Sequence, residues 1–427
     1  GGANIHHANI VVTATMLRSL GLSLAVGMAL GPGGAWGLVV PTTSPAIYFS
    51  EQNWAVNATA AASVNSGAYL KMSFSATNAS ALTPPVVHLQ PNDPSKGVHY
   101  MNIIYSIDDW EFVELAVLSN TTRLVLNPTA RLDAGTVHNL TLMIYNSKQS
   151  ANRWSAPTSP GGAALVVLGV ELGDGVAALR RTDLAAKRCV FFGDSITEGV
   201  ESQCHPDPSC VEGGDLCGNS ATKTWGRAVA AAMECEYSQI GFGGLGWTVP
   251  GGGGVVPVYT PGNPAQSSWN QIFAGAPRKF DNIDYVFVLH ATNDGLRGKG
   301  SPAGVAAVTA SVAGWLGALR AAVGSQTHVF LTVPFGSFGA AQAPVGALRA
   351  GFDRYQGGAS RDVNTHYIDL GPAAARGLTH FGIRSVEACG GIHPRGGTKF
   401  SARHGELGAM IVARATRAVA VAGTAQE

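Results

Sequence analysis

Phe191-Phe192-Gly193-Asp194-Ser195-Ile196-Thr197-Glu198-Gly199 follows the short apolar run 189–192 and turns it into the start of a helix. A serine at such a strand-to-helix turn exposes its hydroxyl, and the backbone N–H groups of the first helical turn face any negative charge that develops there. From this point on, apolar strand candidates at 189–192, 235–240, 285–290, 329–333 and 366–370 alternate with helix-length segments rich in Ala, Leu and Val at 222–233, 304–323, 345–355 and 400–421. That rhythm predicts βαβ units and a parallel sheet covered on both faces, a three-layer α/β/α domain over 188–427. In such a sheet the reactive groups lie beyond the carboxyl ends of the strands.

Three further motifs fall at those positions. After the second strand comes Gly241-Phe242-Gly243-Gly244-Leu245-Gly246, where a glycine lets a backbone N–H approach the serine. Neither Lys-Ser/Thr nor the acidic partner of a dinucleotide site follows it, so the pattern is not that of a phosphate loop. After the third strand stands Thr292-Asn293-Asp294, whose Asn amide is a neutral donor suited to an oxyanion. Ahead of the last helix stands Gly391-Ile392-His393-Pro394, whose histidine is the candidate general base toward Ser195 and general acid toward a leaving alcohol.

In that order these blocks resemble the SGNH hydrolases, also called GDSL esterases or lipases. The resemblance covers about residues 188–421 and implies Ser195 as nucleophile and His393 as base. It also implies an oxyanion hole made of the Ser195 and Gly244 backbone N–H groups and the Asn293 side chain. Two positions depart from the family pattern. Gly390 stands where most members carry the Asp that orients the histidine, leaving its own carbonyl, Glu387 or Asp294 for that task. Ala291 replaces the usual glycine that opens the third block.

Between residues 46 and 172 the signals are those of strands. Short β-branched or aromatic runs at 68–76, 102–107, 112–118, 137–145 and 164–172 are separated by Asn, Gly, Pro and Ser. This predicts a jelly-roll-like β-sandwich over 38–175 ahead of the hydrolase domain. A β-rich half in that place resembles the two-domain carbohydrate esterases, above all their second family, whose members remove acetyl groups from polysaccharides. The implied substrate is an acetylated carbohydrate or another small ester, with no cofactor and no metal. Around the serine, 201–218 reads as a rim carrying three cysteines, and Trp247 and Trp269 are candidate substrate contacts. There is no long apolar lid of the kind a lipase uses, which favours a short acyl group. The rival readings are a lipase or thioesterase on longer chains and a wall protein that binds carbohydrate without catalysis.

Composition and the N-terminal segment point to the compartment. Of 427 residues, 28 are basic and 27 acidic, a net charge of +1 that offers no footprint for nucleic acid or an anionic membrane surface. Arg18 after Met16, the apolar run 20–30 and the small residues around Ala35-Trp36-Gly37 form the pattern of a signal peptide over 16–37. That run is too short for a permanent membrane anchor. Sequons at Asn57, Asn78, Asn120 and Asn139 and the six cysteines at 189, 204, 210, 217, 235 and 389 suit a secreted, glycosylated, disulfide-bonded protein. No Cys-x-x-Cys or paired-His spacing supports zinc.

Overall fold

The computed structural model describes residues 37–78, 82–155, 157, 161–202, 216–263, 266–297, 300–334, 345–358, 361–370, 388–389, 393–394 and 401–424, with the backbone alone at 217, 388–389, 393–394, 401–406 and 424. The expected leader lies outside them but for Gly37.

The N-terminal half is built from β1 (Leu38–Pro41), β2 (Tyr48–Phe49), β3 (Ala55–Val56), β4 (Ala61–Ser63), β5 (Tyr69–Ala76), β6 (Val86–Leu89), β7 (His99–Ile107), β8 (Val113–Leu118), β9 (Arg123–Val125), β10 (Val137–Ser147), β11 (Leu165–Leu172) and β12 (Val176–Leu179). They form two six-stranded antiparallel sheets. One runs β3-β4-β11-β6-β9 with β1 also on β11, and the other runs β12-β5-β10-β7-β8 with β2 also on β5. From β4 onward successive strands alternate between the sheets, apart from the β7–β8 hairpin, which is the winding expected of a jelly roll. Between the sheets lies an apolar core that includes Leu70, Met72, Ile103, Leu142, Val167 and Val170. The sandwich extends to Leu179, past the expected boundary at 175. Its last strand is a short Val-Ala-Ala-Leu run beside Asp174 and Arg180, whose charges made it read as linker.

The second half contains β13 (Lys187–Gly193), α1 (Ser195–Glu198), α2 (Trp225–Ala232), β14 (Cys235–Gly241), β15 (Tyr285–Leu289), α3 (Thr292–Leu296), α4 (Pro302–Val323), β16 (His328–Thr332), α5 (Val345–Gln356), β17 (Thr365–Ile368), β18 (Ala388–Cys389), β19 (His393–Pro394) and α6 (Ser401–Thr424). Strands β13 to β17 make one parallel sheet in the order β14-β13-β15-β16-β17. Both faces of these strands are buried, which is why they read as continuous apolar runs. Phe191, Phe287 and Phe330 pack with α2 and α6 on one side, and Val190, Val286, Val288 and Leu331 pack with α4 and α5 on the other. Ser301 caps α4 by accepting from the Gly304 N–H at 3.2 Å, and Pro302 occupies its first turn. By length and hydropathy α4 matches a membrane span, yet Val308, Val312, Trp315, Leu316 and Leu319 are buried in the domain core. A disulfide joins Cys189 of β13 to Cys235 of β14. Cys204 and Cys210 lie outside the described residues, as do the side chains of Cys217 and Cys389.

The two halves are docked through buried polar groups. Glu236 accepts from Lys71 Nζ at 2.8 Å and from the Tyr69 hydroxyl, Asn53 donates to the Gln239 carbonyl at 2.8 Å, and Arg278 donates to the Gln52 carbonyl and Asn65 Oδ1. Burial pushes the Glu236 carboxyl up, but the Lys71 ammonium and the hydrogen bonds from Lys71, Tyr69 and the Ala185 N–H outweigh it and hold the group below the usual glutamate value.

Three histidines give the fold an acid sensitivity. Burial lowers His290 to about 3, burial and the neighbouring His328 lower His366 to about 4, and burial followed by Arg320 lowers His328. The unfolded chain protonates these rings below about pH 6.5 while the folded one keeps them neutral, so the unfolded state binds more protons and stability falls as pH falls. For the fully enclosed His290 the slope reaches about 1.4 kcal/mol per pH unit between those limits. Melting temperatures recorded from pH 7 to pH 4.5 are expected to drop steadily, and a flat profile would contradict this assignment.

Candidate active site

Ser195 is the first residue of α1 and is 9% exposed, at the carboxyl end of the sheet beyond β13. Asp194 caps the helix, its Oδ1 accepting the Ile196 N–H at 3.0 Å, and this sets the direction of the first turn. Neither the Ser195 N–H nor the Ser195 hydroxyl has a protein partner among the described residues.

The glycine loop leaves β14 and brings Gly244 beside this turn. Gly244 has φ +75°, a conformation that costs a residue with a Cβ about 1–2 kcal/mol. Its N–H likewise has no protein acceptor among the described residues. The loop around it is tied down: the Gly243 N–H donates to Glu198 Oε2 at 2.7 Å, the Gly252 N–H to the Gly243 carbonyl at 2.7 Å, and the Leu245 N–H to the Phe242 carbonyl at 3.1 Å.

Asn293 sits in α3, 8% exposed. Its Nδ2 donates to the Leu245 carbonyl at 3.0 Å and lies 3.5 Å from Asp194 Oδ2, so one amide touches both the serine turn and the glycine loop. Three of the blocks identified in the sequence are therefore brought together by direct contacts. The fourth approaches through its backbone: β19, which begins with His393, pairs with β18 and comes up against α1. The His393 side chain, Gly390 and Glu387 lie outside the described residues.

Asp294 is fully buried and accepts from the Trp247 N–H at 2.8 Å and from the Thr248 N–H and hydroxyl at 3.0 and 2.9 Å. Burial raises its carboxyl and these donors oppose the rise. With its acceptor capacity directed at the glycine loop, it braces that loop from behind.

The two tryptophans require correction. Trp247 and Trp269 are 0% and 5% exposed and belong to the apolar core. Trp247 meets His290 and Trp315 edge-on, and Trp269 stacks on Phe280 at a centroid distance of 5.3 Å. Their position after glycine-rich stretches suggested open loops, but the loops fold inward over α4. Of the expected rim, 203–215 lies outside the described residues.

Ala291, the departure at the head of the third block, has φ +117° and ψ −10°. The position keeps a glycine-like backbone although the residue has a Cβ, which costs about 1–3 kcal/mol. Ala291→Gly is expected to raise the unfolding free energy by about 1 kcal/mol, after the greater freedom of glycine in the unfolded chain is discounted. Urea titration checks this, and an unchanged or lower midpoint would contradict it.

Sequence reasoning missed four residues. Glu198, inside the quoted first block, is buried and reaches the glycine loop. Gln149 and Arg153 belong to the sandwich and bond to Glu198. Exposed Arg297 lies where a Cβ on Gly244 would be 3.0 Å from its Nη2, and its Nη1 donates to the Pro250 carbonyl at 3.2 Å. Among the sequons, Asn57, Asn78 and Asn120 are exposed, whereas Asn139 is half-buried in β10 and accepts from the Ser73 hydroxyl at 2.7 Å. No group of three or more His, Cys, Asp or Glu able to hold a metal occurs among the described residues.

Comparison with known proteins agrees with this geometry. Residues 191–396 match the model of the GDSL-like Lipase/Acylhydrolase family. No curated protein matches the chain. Among solved structures, a family two carbohydrate esterase from Cellvibrio japonicus is 13% identical and superposes with a TM-score of 0.64, over 89% of this chain and 97% of that one. A family two carbohydrate esterase from Clostridium thermocellum, in complex with cellohexaose, is 14% identical with a TM-score of 0.61 over 88% and 99% of the two chains. An acetyl xylan esterase from the rumen bacterium Butyrivibrio proteoclasticus is 13% identical with a TM-score of 0.63 over 88% and 96%. At these identities the likeness establishes the fold, and it spans both domains.

Proposed function

We propose, proceeding from a domain at residues 191–396 that belongs to the GDSL-like Lipase/Acylhydrolase family, that this chain is a secreted serine esterase removing short acyl groups, chiefly O-acetyl, from a polysaccharide. The observation that carries the reading is the convergence of Ser195, Gly244 and Asn293, joined through Asp194 and the Leu245 carbonyl, with two backbone N–H groups free of protein acceptors among the described residues.

In the proposed reaction the Ser195 hydroxyl attacks the ester carbonyl while His393 takes its proton. Charge that collects on the carbonyl oxygen is held by the Ser195 and Gly244 N–H groups and by Asn293 Nδ2. The tetrahedral intermediate collapses, the C–O bond to the sugar breaks, and His393 returns the proton to the departing alcohol. Water, deprotonated by the same imidazole, then releases acetate from the acyl-serine. His290 takes no part in proton transfer, since burial lowers it to about 3 and its ring is enclosed.

The carbohydrate assignment is supported by the fold likeness to family two carbohydrate esterases across nearly the whole length of those chains. Secretion is supported by the leader pattern, and glycosylation by the exposed sequons at Asn57, Asn78 and Asn120. The test is hydrolysis of nitrophenyl acetate, butyrate and octanoate followed by acetate release from acetylated xylan and other acetylated glycans. Rates falling in the order acetate, butyrate, octanoate, with acetate released from a glycan, are expected. Preference for octanoate would favour a lipase, and no turnover by folded protein would favour a carbohydrate-binding role.

A further inference from the structure

We propose that Gln149 and Arg153 of the β-sandwich act through Glu198 as positioning residues for the oxyanion loop, so that the N-terminal domain completes the catalytic site. The inference rests on the esterase reading above and assigns that domain a part in it.

After β10 the sandwich sends the segment 148–155 over the loops of the hydrolase domain. Arg153, fully buried, pairs through Nη1 with Glu198 Oε1, and its guanidinium lies 5.2 Å from the centroid of the Phe242 ring. Gln149 donates from Nε2 to the same Oε1 at 2.9 Å and accepts from Arg153 Nη2 at 3.2 Å. The Ser66 hydroxyl, also from the sandwich, donates to Oε1 at 3.3 Å. Three sandwich side chains thus converge on one carboxylate oxygen. This leaves Oε2 for the Gly243 N–H at 2.7 Å.

The arm holds the other side of the loop as well. The Arg153 N–H donates to the Gly253 carbonyl at 2.9 Å, and the neighbouring Gly252 N–H donates to the Gly243 carbonyl at 2.7 Å. That carbonyl shares a peptide plane with the Gly244 N–H, the second oxyanion donor. In a planar trans peptide the C=O and N–H point in opposite directions, so anchoring the carbonyl aims the N–H. Two glycines are needed for this approach. A Cβ on Gly243 would lie 1.9 Å from Gln149 Oε1, and one on Gly253 would lie 2.3 Å from the Ala151 carbonyl. Glu198 itself is the fourth residue of α1, which Ser195 begins, so nucleophile and oxyanion donor are referenced to one short helix.

A buried ion pair is weak grounds for stability, because apolar residues of similar size often serve as well. Positioning is a separate property and can be measured separately. Active sites are titrated with diethyl nitrophenyl phosphate, kcat and KM for nitrophenyl acetate are expressed per titrated site, and melting temperature is recorded in parallel. Arg153→Met/Glu198→Met is expected to lower kcat about 30- to 100-fold with KM changed less than about threefold, since a donor displaced by an ångström costs on that order. Arg153→Met/Glu198→Gln is expected to recover most of that loss, because the Gln carbonyl accepts from Gly243 without leaving a charge unpaired. Gln149→Ala, at a half-buried position that tolerates truncation, is expected to lower kcat about three- to tenfold.

A purely structural network would move the melting temperature and leave kcat per site within about twofold of the parent in the double-Met variant. That result overturns the proposal. Should the double-Met variant fail to fold, an unchanged kcat per site in Gln149→Ala overturns it in the same way. If the parent protein itself takes no label, the esterase reading fails and this inference with it. Labelling of the parent combined with undiminished rates in the variants removes this inference alone.

Discussion

Ser195→Ala is expected to lower kcat/KM for nitrophenyl acetate by about 10⁴-fold or more while leaving the melting temperature within a few degrees of the parent. The hydroxyl makes no bond to protein among the described residues, so its removal breaks no contact among them, and the helix keeps its Asp194 cap. What disappears is the acyl acceptor. Residual turnover at the level of the bare oxyanion hole is compatible with the account. Activity within about tenfold of the parent would mean that the ester is cleaved elsewhere.

Asn293→Ala is the second large effect. Removing one oxyanion donor from a serine hydrolase costs about 10²–10³ in kcat, and here the same amide also ties the Leu245 carbonyl to α3. KM is expected to change far less than kcat, because the donor acts on charge that exists only in the transition state. Asp294 continues to clamp Trp247 and Thr248 in this variant, so the loop stays folded and the loss is read as chemistry. A rise in KM with kcat unchanged would show that Asn293 holds substrate in its ground state and would remove it from the oxyanion hole.

How far the site was legible follows from what local patterns encode. The parallel sheet was readable because its strands are buried on both faces and so appear as uninterrupted apolar runs, Val190-Phe191-Phe192 and Val286-Phe287-Val288 among them. Ser195, Gly244 and Asn293 were readable because each stands at the end of such a run. The failures came where a residue's partner is distant in sequence. Trp247 and Trp269 follow glycine-rich loops, and only the packing of those loops over Trp315 shows that the indoles are interior. Asp294 follows Asn293 directly, and its bonds to the glycine loop, 46 and 47 residues away, could not be read locally. Arg153 is 45 residues upstream of Glu198, in the other domain, and nothing local distinguishes it from a surface arginine. The glycines at 243 and 253 were visible as a run, but the arm that requires them was not.

The measurement closest to the central claim is covalent trapping of the nucleophile. The protein is incubated with diethyl nitrophenyl phosphate, the release of nitrophenolate is followed, and the digested product is mapped by mass spectrometry. One equivalent of nitrophenolate and a single diethylphosphoryl adduct on Ser195 are expected, with hydrolysis of nitrophenyl acetate lost in proportion. Full acetate hydrolysis by protein that carries no adduct on Ser195, or an adduct on a different residue that abolishes activity, would contradict it.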